Sequence, residues 1–113
     1  MSDAYICERL FRTETTMLHA FDGLRERLHE AFDVGLGTIP IQKFEDLGSA
    51  DLTRRAEQIF AKLSRIKPDG ESWAAASLNE MSDEEVIRTA HEISDLISLV
   101  RDWIDSGKKE VKP

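Results

Sequence analysis

Residues 82–106 read SDEEVIRTAHEISDLISLVRDWIDS. Ser82 followed by Glu85 is a capping box: the serine oxygen accepts from the third helical N–H, and the glutamate reaches back to the serine N–H. Asp83 and Glu84 suit the positive end of the helix dipole. Val86, Ala90, Ile93, Ile97, Val100 and Ile104 then recur at intervals of four, three, four, three and four, the spacing of one buried helical stripe. Gly107 supplies the stop. A helix over about 83–106 follows. It carries a second apolar stripe, Leu96, Leu99 and Trp103, turned roughly 80–100° from the first. A helix with one neighbour does not need both. Either two other helices of the same chain cover them, or the second stripe is a subunit interface anchored by Trp103, a residue type enriched at interface hot spots.

Upstream, the sequence repeats the same logic. Residues 72–80 are alanine-rich and form a short helix that offers Trp73 and Leu78, with Met81 beyond it, for burial. Before it, Leu52, Ala56, Ile59, Leu63 and Ile66 step by four, three, four and three, with Phe60 alongside. That is a helix over about 50–67, capped by Ser49 and ended by Lys67-Pro68-Asp69-Gly70. Residues 34–48, VGLGTIPIQKFEDLG, break the period. Gly35, Gly37 and Pro40 forbid a continuous helix, yet Ile39, Ile41, Phe44 and Leu47 mark the segment as a packed connection or a short helical turn. The first helix spans about 3–33. Ile6, Leu10, Met17, Phe21, Leu24, Leu28 and Phe32 share one face, widened by Phe11 and Leu18. Ser2 or Asp3 caps it, and Gly35 stands where a left-handed C-terminal residue belongs. Gly23 inside the pattern costs about 1 kcal/mol relative to alanine.

No strand pattern and no internal repeat appears. The expected fold is all-α: an antiparallel up-down bundle of three main helices plus one short helix, forming a single domain over 1–113 with a frayed tail at 107–113. An unbroken first helix would be about 45 Å long. A globule of this chain length is only about 34 Å across. The overhang points to a break near Gly23, an elongated bundle or a covering second subunit.

Composition limits the partners. The chain has 113 residues, 41% hydrophobic and 33% charged, with 15 Lys and Arg against 22 Asp and Glu for a net charge of −7. Nucleic acid and anionic membrane surfaces call for a concentrated positive field, so neither is an expected partner. A single cysteine, Cys7, closes no intrachain disulfide and frames no zinc site. It falls near the apolar face and reads as a small core residue. The first residues lack the basic and apolar regions of a signal peptide, and no window of about 18 apolar residues exists. A cytoplasmic location is expected. Charge is also segregated: residues 47–67 hold five bases and two acids, and residues 69–106 hold ten acids and two bases. The simplest use is intramolecular, with the basic helix beside the acidic one.

Few constellations point to chemistry. His19-Ala20-Phe21-Asp22-Gly23 resembles the phosphotransfer modules of two-component relays. Those are small acidic helical bundles whose exposed histidine precedes a lysine and a glycine at the third and fourth following positions. The resemblance covers five residues and would make His19 the phosphoacceptor. Here Asp22 stands where the lysine belongs, and a carboxylate repels a phosphoryl group. Glu26-x-x-His29 has the spacing of di-iron bundles, but those need two such pairs and two further glutamates. Glu14 lies inside the apolar face of the first helix, where a carboxylate must be paired, protonated or at a watery rim; Arg101 is its candidate partner. His91 and Asp95 form an ordinary surface pair one turn apart. Gly35-Leu36-Gly37 lacks the Lys-Ser/Thr of a phosphate loop.

The functional expectation is a non-enzymatic protein without metal or cofactor. It acts by helix–helix contact, as a homodimer through Leu96, Leu99 and Trp103 and with another protein, in the manner of an adaptor, chaperone or regulator. The alternative is a phosphotransfer protein using His19.

Overall fold

Three serines begin three helices. The Ser49 hydroxyl accepts from the Leu52 N–H at 3.3 Å, and the Ser72 hydroxyl accepts from the Ala75 N–H at 2.9 Å. At Ser82 both halves of the capping box are present, with Glu85 N–H to Ser82 Oγ at 3.2 Å and Ser82 N–H to Glu85 Oε1 at 3.4 Å. Each satisfies a backbone donor that the helix itself leaves open. The computed structural model describes residues 2–19, 23–67, 70 and 72–107, and only the backbone at 2, 3 and 19. Its helices are α1 (Ser2–His19), α2 (Leu24–Val34), α3 (Ile41–Glu45), α4 (Ala50–Lys62), α5 (Trp73–Asn79) and α6 (Asp83–Asp105), with one 3₁₀ turn at Leu36–Thr38. The described residues contain no strand, and the chain is all-α.

The single helix expected over 3–33 is two helices. Gly23 takes extended backbone, φ −63° and ψ 169°, and caps α2. Glycine, which has the most conformational freedom, already weakens a helix at this point. The break removes the expected overhang. α1 has 18 residues, about 27 Å, in a molecule 41 × 28 × 26 Å. The expected caps at Ser2 or Asp3, the core position Phe21 and the frayed stretch 108–113 lie outside the described residues. Gly107, at φ +78°, does end α6 in the left-handed region.

The connection at 34–48 is packed. It contains the 3₁₀ turn and α3, and it buries Leu36, Ile39, Phe44 and Leu47. The Phe60 ring stands edge-to-face against Phe44 and Phe32, with centroids 6.0 and 5.7 Å away. The Tyr5 hydroxyl donates to the Thr38 carbonyl at 3.1 Å, tying α1 to this connection. α4 stops at Lys62, short of 67. The Ile66 N–H does not continue the ladder and instead donates to the buried Ser77 hydroxyl at 3.1 Å. Residues from all six helices share one core.

The charge segregation is resolved inside the molecule. α4 packs against α6, and Lys62 Nζ lies 2.6 Å from Glu92 Oε1. Arg65 reaches Glu85 at 3.9 Å. Arg54 and Arg55 pair within α4, both with Asp51.

Candidate functional site

α6 has neighbours on several sides. It packs against α1, α2 and α4, and the Trp103 Nε1–H donates to the Leu47 carbonyl at 2.7 Å, reaching the turn after α3. Both of its apolar stripes therefore have intrachain partners. Leu96 is 0% exposed, and Leu99 and Trp103 are half-buried against the core. The expected subunit interface at Leu96, Leu99 and Trp103 is corrected accordingly: Leu96 is unavailable, and the indole of Trp103 is held by its own chain. A stripe on a helix that neighbours enclose on three sides is drawn into the core of its own chain.

The uncovered apolar surface lies on α1 instead. Phe11 is 62% exposed and Leu18 is 70% exposed. They are seven residues apart, so they fall on nearly one line along the helix. Ala4 and Cys7 are exposed on the same side. Core packing explains why. Ile6, Leu10 and Thr13 are buried and Met17 is partly buried. Cys7, Phe11 and Leu18 each follow one of those inward residues and are turned about 100° away from it. Phe11 and Leu18 were expected to widen the core face, and Cys7 to lie in the core. α1 packs against α2, α6 and the 3₁₀ turn, which cover only one arc of it.

The edges of this stripe are charged. On one flank the Arg12 Nη2–H donates to Glu8 Oε1 at 2.5 Å, four residues apart. On the other, the Arg101 guanidinium of α6 donates to both oxygens of Glu14, at 2.6 and 3.2 Å. Glu14 is thus paired at a half-exposed rim. Its hydrogen bonds raise the Arg101 pKa further above the ordinary arginine value, against a small opposing effect of burial.

Other exposed apolar residues are set apart from this face. Trp73 on α5 rims a recess with Phe32, Ser64 and Ala74, and Ile87 is half-exposed on α6. Trp73, expected to be buried, is 49% exposed at the start of α5.

The sequence constellations fare differently. α1 ends at His19, and Gly23 is extended. The His19 side chain and residues 20–22 lie outside the described residues. His29 Nε2 lies 2.9 Å from Asp33 Oδ2, one turn onward, and not against Glu26. Among the described residues, no group of three or more His, Cys, Asp or Glu is placed to hold a metal ion. Among them, no helix is long and apolar enough to cross a membrane.

One residue went unread in the sequence. Arg25 on α2 donates through Nε to the Leu78 carbonyl at 3.1 Å, through Nη2 to the Met81 carbonyl, and through Nη1 to Asp83 Oδ1 at 2.8 Å. It thereby fixes the corner between α5 and α6. Nothing local in sequence marks a contact across more than fifty residues.

No family model matches the chain, and no curated protein or solved structure matches it.

Proposed function

We propose that this protein acts by helix–helix contact with another polypeptide, without turning over a substrate, and that the docking surface is the outer face of α1. The observation that carries this is the pair Phe11 and Leu18. Two large apolar side chains stand mostly in solvent, two turns apart on one face of a helix whose opposite face is core. Each exposed apolar side chain of this size gives up roughly 1.5–3 kcal/mol relative to a covered one. Contiguous exposed apolar surface of this kind is a mark of interaction sites. Adaptor, small chaperone and regulator are all roles that such a face serves. An antiparallel up-down course of the longer helices belongs to the same proposal, because it leaves α1 at the margin of the bundle. So does a cytoplasmic location, where the exposed thiol of Cys7 stays reduced.

The test is site-specific photo-crosslinking in intact cells that express the chain. A photoreactive phenylalanine analogue at position 11 should trap a protein adduct. The same analogue at Asp95, exposed on α6, should give none above background. Equal yields at the two positions would overturn the docking role of α1.

A further inference from the structure

We infer that the polypeptide docked on α1 is α1 of a second copy of this chain, running antiparallel about a two-fold axis beside Phe11. The inference presupposes the docking role proposed above and names its partner.

Spacing makes the stripe complementary to itself. Ala4, Phe11 and Leu18 are seven residues apart, so Ala4 and Leu18 lie about 10.5 Å to either side of Phe11 along the helix. A two-fold axis at Phe11 sets each Phe11 against its counterpart and each Ala4 against Leu18 of the other copy. Small then faces large at both ends, the alternation that lets facing helices interdigitate. Such an isologous contact uses one patch twice and closes.

Charge selects the same occupant. The stripe is flanked by Glu8 paired with Arg12 and by Glu14 paired with Arg101 of α6. Two acids and two bases leave this face neutral, so the rest of the chain carries the whole of the −7. Two copies repel where their acidic α6 surfaces meet, and at α1 they approach without that cost. A basic partner would be drawn to acidic α6 and not to a neutral apolar stripe. The flank agrees. Glu8 and Arg12 lie on one side of the stripe. The two-fold brings each Glu8 to within about 3 Å, measured along the helix, of Arg12 of the second copy. The intrachain pair at 2.5 Å thereby becomes a ring of four alternating charges. Two Glu8–Arg12 contacts between the copies outweigh the one Arg12–Arg12 approach at the same axial offset, so the antiparallel register is reinforced.

The experiment is sedimentation equilibrium on the purified full chain, joined to a crosslinking map. At micromolar concentration the mass should be twice 12.8 kDa, and Leu18→Glu should return it to 12.8 kDa. Leu18→Glu should keep the helical circular dichroism spectrum of the parent, because Leu18 is outside the core, and any fall in its melting temperature should shrink as the parent is diluted toward monomer. In a Cys7→Ser background, a short bis-maleimide should couple Ala4→Cys to Leu18→Cys only when the two variants are mixed. Neither variant should couple to itself. A parent chain that sediments as a monomer overturns the inference. If position 11 still traps an adduct of another mass in cells, the docking role stands and only the second copy falls. If neither dimer nor adduct forms, both fall. A dimer in which Ala4→Cys couples to itself overturns the antiparallel register.

Discussion

The Arg101 guanidinium holds the Glu14 carboxylate in a two-pronged grip across the contact between α1 and α6, with Nη2 to Oε1 at 2.6 Å and Nη1 to Oε2 at 3.2 Å. The two residues are 87 positions apart in the chain, so the pair fixes where the last helix crosses the first. Its geometry is good, but both side chains remain more than a third exposed. Solvent screening limits exposed pairs to about 0.2–1 kcal/mol. A double-mutant cycle of Glu14→Gln and Arg101→Gln, read by urea denaturation, should give a coupling energy inside that range. A coupling of several kcal/mol would mean that the pair is shielded from water.

This contact was legible in the sequence because a carboxylate inside an apolar stripe needs a cation, and Arg101 is one of only two bases on α6. The capping box at Ser82, the Ser49 cap and the main seam of α6 were legible for a similar reason: each is written within one or two turns. Periodicity fixes the angle at which a residue leaves its helix. It does not say which arc a neighbour covers. On α6 three neighbours cover both stripes, and on α1 they cover only one. Leu96 therefore went inward, and Phe11, Leu18 and Cys7 went outward. The end of α4 depended on a hydroxyl at Ser77, eleven residues beyond Ile66, and no local rule contains it.

Gly35 was expected to serve as a left-handed cap. Its backbone is at φ −129° instead, so conformational freedom is not what requires glycine. Close approach is. A β-carbon here would lie 2.1 Å from Thr13 Oγ1 and 2.8 Å from the Arg9 carbonyl oxygen. The Thr13 hydroxyl is already fixed, fully buried and donating to that same carbonyl at 2.8 Å. Gly35→Ala must push α1 away from the end of α2. It should lower stability by about 1–3 kcal/mol, the usual cost of forcing extra carbon into a packed site. Urea denaturation measures it, and a neutral result would show that the two helices part without strain.

Arg25 predicts a larger loss. It serves two backbone carbonyls and one carboxylate where α5 turns into α6. Hydrogen bonds from a charged donor contribute about 1.5–3 kcal/mol each, and orphaned carbonyls add their own desolvation cost. Arg25→Ala should destabilise by roughly 2–4 kcal/mol. Arg25→Lys should restore little, since one ammonium cannot reproduce a planar fork. Amide hydrogen exchange should report the loss first at residues 78–86. Uniform exchange across the chain would place the role of Arg25 elsewhere.

Trp103 and Leu96 separate core from interface on α6. Leu96 is fully enclosed by its own chain, so Leu96→Ala should cost about 2–5 kcal/mol, as buried leucine truncations do. Trp103→Phe keeps an aromatic ring but removes the N–H that meets the Leu47 carbonyl. It should cost about 1–3 kcal/mol for an acceptor left without its donor. Neither substitution touches the outer face of α1. Both variants should therefore sediment with the mass of the parent under conditions where they remain folded. A change of mass with stability intact would return the α6 stripe to the subunit interface. Loss of stability at constant mass keeps it in the core.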